Sequence, residues 1–161
     1  MKKNKIFNVI VLLALIFTLF TGCGSDPVAE DLTNYINNQM PAVTKLQKSY
    51  ATALSSINES TDTQTMISKL KKEILPNSEK LIEEAKKVVP KTEEVKTLHN
   101  KYIEAMTKQN SGFAKMLEGL EKANNETVNS SSKITEEGNT EYTAYINELK
   151  DLGKKHGVEI K

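Results

Sequence analysis

DPVAEDLTNYINNQMPAVTKLQKSYATALSSI, residues 26–57, decides the fold. Its apolar positions are Val28, Leu32, Tyr35/Ile36, Met40, Val43, Leu46, Tyr50, Leu54 and Ile57, and they recur at three and four residues, the spacing of one helical face. Asp26 is placed to cap a helix, with Pro27 in the first helical position, where a missing N–H costs nothing. Glu30 and Asp31 complement the positive end of the helix dipole. Pro41 lies inside this pattern, yet the phase continues past it. An interior proline removes the bond to the residue four back, here Asn37, and kinks the helix. The spacing therefore predicts one helix from Pro27 to about Ile57, bent near 37–41, with a full break as the alternative.

Three more segments of the same kind follow. After a polar connection at 58–62, Thr61 and Gln64 have the form of a capping box. The second face is Met66/Ile67, Leu70, Ile74, Leu81/Ile82, Ala85 and Val88/Val89, running through Pro76 and stopping at Pro90. Thr92 then caps a third helix, with Glu93 and Glu94 in its first turn and Val95, Leu98, Tyr102, Met106, Phe113, Leu117 and Leu120 on one face. Between Met106 and Phe113 the core position falls to Gln109 or Asn110. The Asn- and Ser-rich run 124–132 reads as the longest loop. A fourth helix carries Tyr142, Tyr145/Ile146, Leu149 and Leu152, reaching back through Gly138 toward Ile134. Lys154, Lys155 and His156 suit its negative end, Gly157 suits a left-handed residue after it, and Val158 can fold back on Leu152. The tail 158–161 is expected to fray.

The expected fold is all-α. Over 27–157 the pattern predicts an elongated antiparallel up-down four-helix bundle, with a three-helix bundle containing one broken segment as the alternative.

Upstream of the helical pattern, Lys2, Lys3 and Lys5 precede an apolar run from Ile6 to Phe20, followed by Thr21-Gly22-Cys23. A basic start, a short apolar stretch and small residues are the parts of a secretory signal peptide, and about 15 apolar positions fall short of the roughly 20 that cross a bilayer as a helix. Thr21-Gly22-Cys23 resembles the lipobox of bacterial lipoproteins. It departs from that pattern in having Phe20 where Leu is usual, with Leu19 one residue further out. The resemblance implies a leader over 1–22, cleavage before Cys23 and a diacylglyceryl group on its sulfur, with 23–26 as lipidated N-terminus and short leash. Two acyl chains would hold the protein stably on a membrane. Cys23 is the one cysteine in the chain, so no intramolecular disulfide can form.

The leader carries three lysines and no acid, so of 22 Lys and 21 Asp plus Glu, 19 and 21 remain after it. Every basic residue is lysine. Without arginine the chain lacks the fork that binds phosphate bidentately, and with the acidic balance this argues against nucleic acid as a partner. Lysine bias with many Asn and Ile is the composition of an AT-rich, low-GC Gram-positive genome. The body is similar to small helical lipoproteins of Bacillus-type bacteria.

Chemistry-bearing residues are sparse. His99 follows core Leu98 and is expected on a solvated flank; His156 reads as a helix-end residue. The positions three before them are Lys96 and Gly153, so neither completes a Glu-x-x-His metal motif, and no metal or cofactor is expected. No phosphate loop or nucleophile elbow occurs. The pairs Glu83-Glu84, Glu93-Glu94 and Glu136-Glu137 lie beside lysines on polar faces and read as solvated surface. Tyr35, Tyr50, Tyr102, Tyr142 and Tyr145 fall on or beside the apolar faces, filling the core with hydroxyls reaching the surface.

Core logic weakens at Gln109, Asn110, Ser111 and Gly112. This run is either a buried amide fixing helix register or a small ligand or partner site opposite the Pro41 or Pro76 kink. No catalytic set emerges, so the sequence points away from an enzyme. The main expectation is a lipid-anchored module on the outer face of the cytoplasmic membrane that binds another envelope protein or the cell wall. The alternatives are a small-ligand binder with a pocket between helices, or a phage or plasmid exclusion lipoprotein.

Overall fold

The structure is a computed structural model and describes residues 26–57 and 61–160. Cys23, the leader and the leash at 24–25 lie outside the described residues. Among the described residues the fold is all-α, with six α-helices: α1 Pro27–Asn34, α2 Pro41–Ser55, α3 Thr63–Lys69, α4 Leu75–Ala85, α5 Glu93–Glu121 and α6 Asn125–Lys155. Two π-helical turns, Tyr35–Gln39 and Leu70–Ile74, join α1 to α2 and α3 to α4.

This corrects the expected count of four helices, and the three-helix alternative with it. The cause is the two interior prolines. In each π turn the residue immediately before the proline bonds five residues back, Met40 N to Tyr35 O and Leu75 N to Leu70 O. Widening the turn by one residue relieves the carbonyl that the pyrrolidine ring would meet four residues back. The full break held as the alternative at Pro41 does not occur, because helical bonding resumes at once with Thr44 N to Met40 O at 2.8 Å.

Start signals were partly misplaced as well. Asp26 caps α1 as expected, its Oδ1 accepting from Val28 N at 2.9 Å and Ala29 N at 3.2 Å. α3 is capped by Asp62, which accepts from the Thr65 N–H and hydroxyl, rather than by Thr61. Thr92 occupies the cap position of α5, but its hydroxyl donates to Asp31 across the fold. α4 ends at Ala85, which leaves Val89 outside the helix and 70% exposed, where the sequence placed it on the buried face.

The expected loop at 124–132 is instead the cap and first turns of α6. Asn124 accepts from Thr127 N at 3.0 Å, and the Ser130, Ser131 and Ser132 hydroxyls bond back to carbonyls of their own helix. These short side chains, which compete with helical bonding elsewhere, are satisfied within it here.

α5 and α6 form an antiparallel hairpin and the most extensive helix pairing in the molecule. Their close approach needs Gly138, where a Cβ would lie 2.9 Å from Gln109 N and 3.2 Å from Ala105 O. At about 1.5 Å per residue, the 31 residues of α6 make the body roughly 46 Å long. α2 and α4 pack on each other, and α4 and α1 pack on α5. The core runs through Leu32, Val43, Leu70, Ile74, Leu81 and Val95, all fully buried. α6 ends at Lys155 with His156 as its C-cap; Gly157 after it is left-handed at φ 69° as expected, and Val158 N bonds Gly153 O at 2.8 Å. Val158 is buried and Ile160 packs against the core, so over 158–160 the tail is docked rather than frayed.

Candidate functional site: a buried tyrosine and histidine network

The polar groups of the core gather on α5 and the helices facing it. His99 is 2% exposed, which overturns the solvated flank expected for it. Its Nε2 lies 2.9 Å from Ala85 O at the end of α4, and its Nδ1 lies 3.1 Å from the Tyr35 hydroxyl. A carbonyl can only accept, so Nε2 carries the proton and Nδ1 accepts from Tyr35. The Tyr35 oxygen in turn sits 3.2 Å from the Tyr145 hydroxyl. The result is a one-way chain in which Tyr145 donates to Tyr35, Tyr35 to His99, and His99 to Ala85. It ties α6, the first π turn, α5 and α4 together.

Burial holds the His99 pKa below the ordinary imidazole value, against the opposing pull of the Ala85 carbonyl, and this favours the neutral ring the chain requires. Burial likewise pushes the Tyr35, Tyr102 and Tyr145 hydroxyls well up, keeping them protonated donors. The rings pack as one cluster. His99 stacks on Tyr102 at 17° between planes, and Tyr102 meets Tyr145 at 5.1 Å between centroids.

A second layer uses two amides. Gln47 on α2 donates to the Tyr142 hydroxyl and accepts from Tyr102 at 3.2 Å. Gln109 on α5 accepts from Tyr50 at 3.3 Å and donates to Asn139 Oδ1 on α6 at 2.9 Å. Each amide joins α2, α5 and α6 at one level. The tyrosines fill the core as expected, but their hydroxyls bond to one another and to these amides inside it.

The run 109–112 does not converge on one place. Gln109 is buried in the α2–α5–α6 junction, Asn110 is half-buried, Ser111 is exposed, and Gly112 is buried against Thr135 of α6. Sequence reasoning singled out Gln109 but missed His99, Gln47 and Asp31. Asp31 is 3% exposed, and its Oδ2 accepts from Lys91 N, Thr92 N and the Thr92 hydroxyl at 2.7 to 2.9 Å. It fastens the two residues that lead into α5 to another helix. The available signal was its place one turn after the cap of α1, in phase with buried Tyr35.

At the end of the body where α1 starts, Asp26 Oδ2 lies 2.7 Å from His156 Nδ1 at the close of α6. The bond from His156, followed by the backbone N–H of Ala29, holds the Asp26 carboxyl below its usual value. Among the described residues no group of three or more His, Cys, Asp or Glu is arranged to hold a metal ion, and no helix is long and apolar enough to cross a membrane.

The described body is all-helical, and the one cysteine of the chain precedes it in sequence, which is consistent with a bacterial lipoprotein. The family model described as EMYY-motif containing lipoprotein matches residues 3–158, and the chain belongs to that family. The uninterrupted tetrapeptide Glu-Met-Tyr-Tyr does not occur in the chain, so the assignment rests on the match along its length. No curated protein and no solved structure matches it.

Proposed function

We propose that this lipoprotein is a non-enzymatic interaction module, held by a diacylglyceryl group on Cys23 at the outer face of the cytoplasmic membrane and presenting a helical body to another envelope protein or to the wall. The observation that carries the reading is how the core polar groups are used. Gln109, the centre of the candidate pocket, has both ends of its amide bonded inside the protein, and the Tyr145–Tyr35–His99–Ala85 chain is closed at each step. Side chains engaged with one another in this way specify a rigid shape rather than offer groups to a substrate. The lysine-only basic set and acidic balance support a protein or wall partner over nucleic acid.

Cross-linking in intact cells, followed by capture of the lipoprotein, tests this. The reading expects an envelope protein or wall fragment recovered above a lipidated control protein, and recovery of nothing beyond that control would count against it. Thermal melting across a metabolite panel separates it from the small-ligand alternative, which alone predicts a rise in Tm by mass action.

A further inference from the structure

The anchored end of the body has a surface of its own. Asp26 follows Cys23 by three residues, a span of at most about 11 Å at 3.6 Å per residue. His156 is bonded to that same Asp26, so the last turn of α6 lies beside the attachment point rather than at the far end. Lys154 and Lys155 are on this turn and both are exposed. The acids at this end are Glu30 on α1, Glu93 and Glu94 at the start of α5, Asp151 one turn back on α6 and Glu159 in the docked tail, all exposed, and Asp26, whose carboxylate is bonded by His156 and the first N–H groups of α1.

We infer that Lys154 and Lys155 at the end of α6 form a second, electrostatic contact with the phosphates of an anionic bilayer, set beside the lipid on Cys23 and orienting the body end-on. The partner is the lipid surface, because the leash is too short to lift this end out of the headgroup zone. A lysine held there gains roughly fivefold in local binding from the negative surface potential, and the gain decays within a Debye length. The Asp26 to His156 bond locks the start of α1 to the end of α6, so the lysines cannot swing away from the tether. This inference rests on the anchor at Cys23.

The test couples the mature chain through its sole cysteine to a maleimide lipid and measures acylation of each lysine by a water-soluble ester, read by mass spectrometry. On vesicles containing phosphatidylglycerol, Lys154 and Lys155 should react at least about threefold more slowly than on neutral phosphatidylcholine vesicles, with the difference lost at high salt. Lys115 and Lys122, toward the other end of α5, should react alike on both. Equal rates for Lys154 and Lys155 on the two vesicles, or protection of Lys122 instead, would overturn the inference. The tether in this experiment is chemical, so a native protein lacking lipid on Cys23 would remove the anchor reading and leave this result standing. Equal rates would remove the contact and leave the anchor.

Discussion

His99 joins three helical segments, α5, α4 and the first π turn, through its two bonds, and its protonation state follows from its surroundings. Its pKa is lowered in the fold, so the unfolded chain binds the proton more readily. The stabilisation is therefore complete above the ordinary histidine value of about 6.5 and is lost as pH falls from there toward the lower folded value. Denaturant melts between pH 7.5 and 5 should show stability dropping, and His99→Gln should flatten that slope; an unchanged slope would contradict the buried neutral ring. Tyr35→Phe removes the middle hydroxyl of the chain and leaves His99 Nδ1 without a donor, a loss of about 1–3 kcal/mol in urea unfolding at neutral pH. The tyrosines were legible in the sequence because helical phase alone puts them inside. His99 was not, since it adjoins Leu98 without sharing its phase, and its partner Tyr35 is 64 positions away in the chain. Only tertiary contact gives such a residue its place.

Among the elements, the α5–α6 hairpin depends on small residues. Gly138→Ala would drive a methyl group to 2.9 Å from Gln109 N, where backbone must move to admit it. The expected cost is about 1–3 kcal/mol with a matching fall in Tm, and an unchanged Tm would contradict the close approach. Periodicity located most of the helical stretches but not their internal geometry. Val28 to Ile57 keeps one apolar phase through Pro41, which revealed that the helix continues; the turn type depends on how the chain relieves a missing N–H and a ring clash, and apolar spacing does not encode that. The run 124–132 was misread for the opposite reason. Its composition favours loops, while the cap at Asn124 and the packing of buried Ser131 and Thr135 hold it helical.

For the whole molecule, the two ends differ. Asp26 and His156 close the end where α1 starts, while the α5–α6 turn at 122–124 forms the other. Asp26 has a lowered pKa in the fold, so its contribution is present above the usual carboxylate range and is lost as pH falls through its folded value. Asp26→Asn keeps a capping side chain on α1 but removes the charge, so acid unfolding monitored by circular dichroism should lose part of its dependence on pH below about 4. An acid limb identical to that of the parent chain would remove the clamp from this account. The lipoprotein class was the most legible property at this scale, and the family match agrees with it. The apolar run and Cys23 are a local, contiguous pattern in the sequence, whereas the partner of a closed helical body leaves no such signature.

The central claim is that a lipid on Cys23 holds this helical body at the membrane, and the mass of the N-terminal peptide from protein extracted from host membranes tests it most directly. The account predicts a chain beginning at Cys23 with a diacylglyceryl adduct on its sulfur. A free Cys23 thiol in the mature protein, or a chain beginning at another residue, would contradict it.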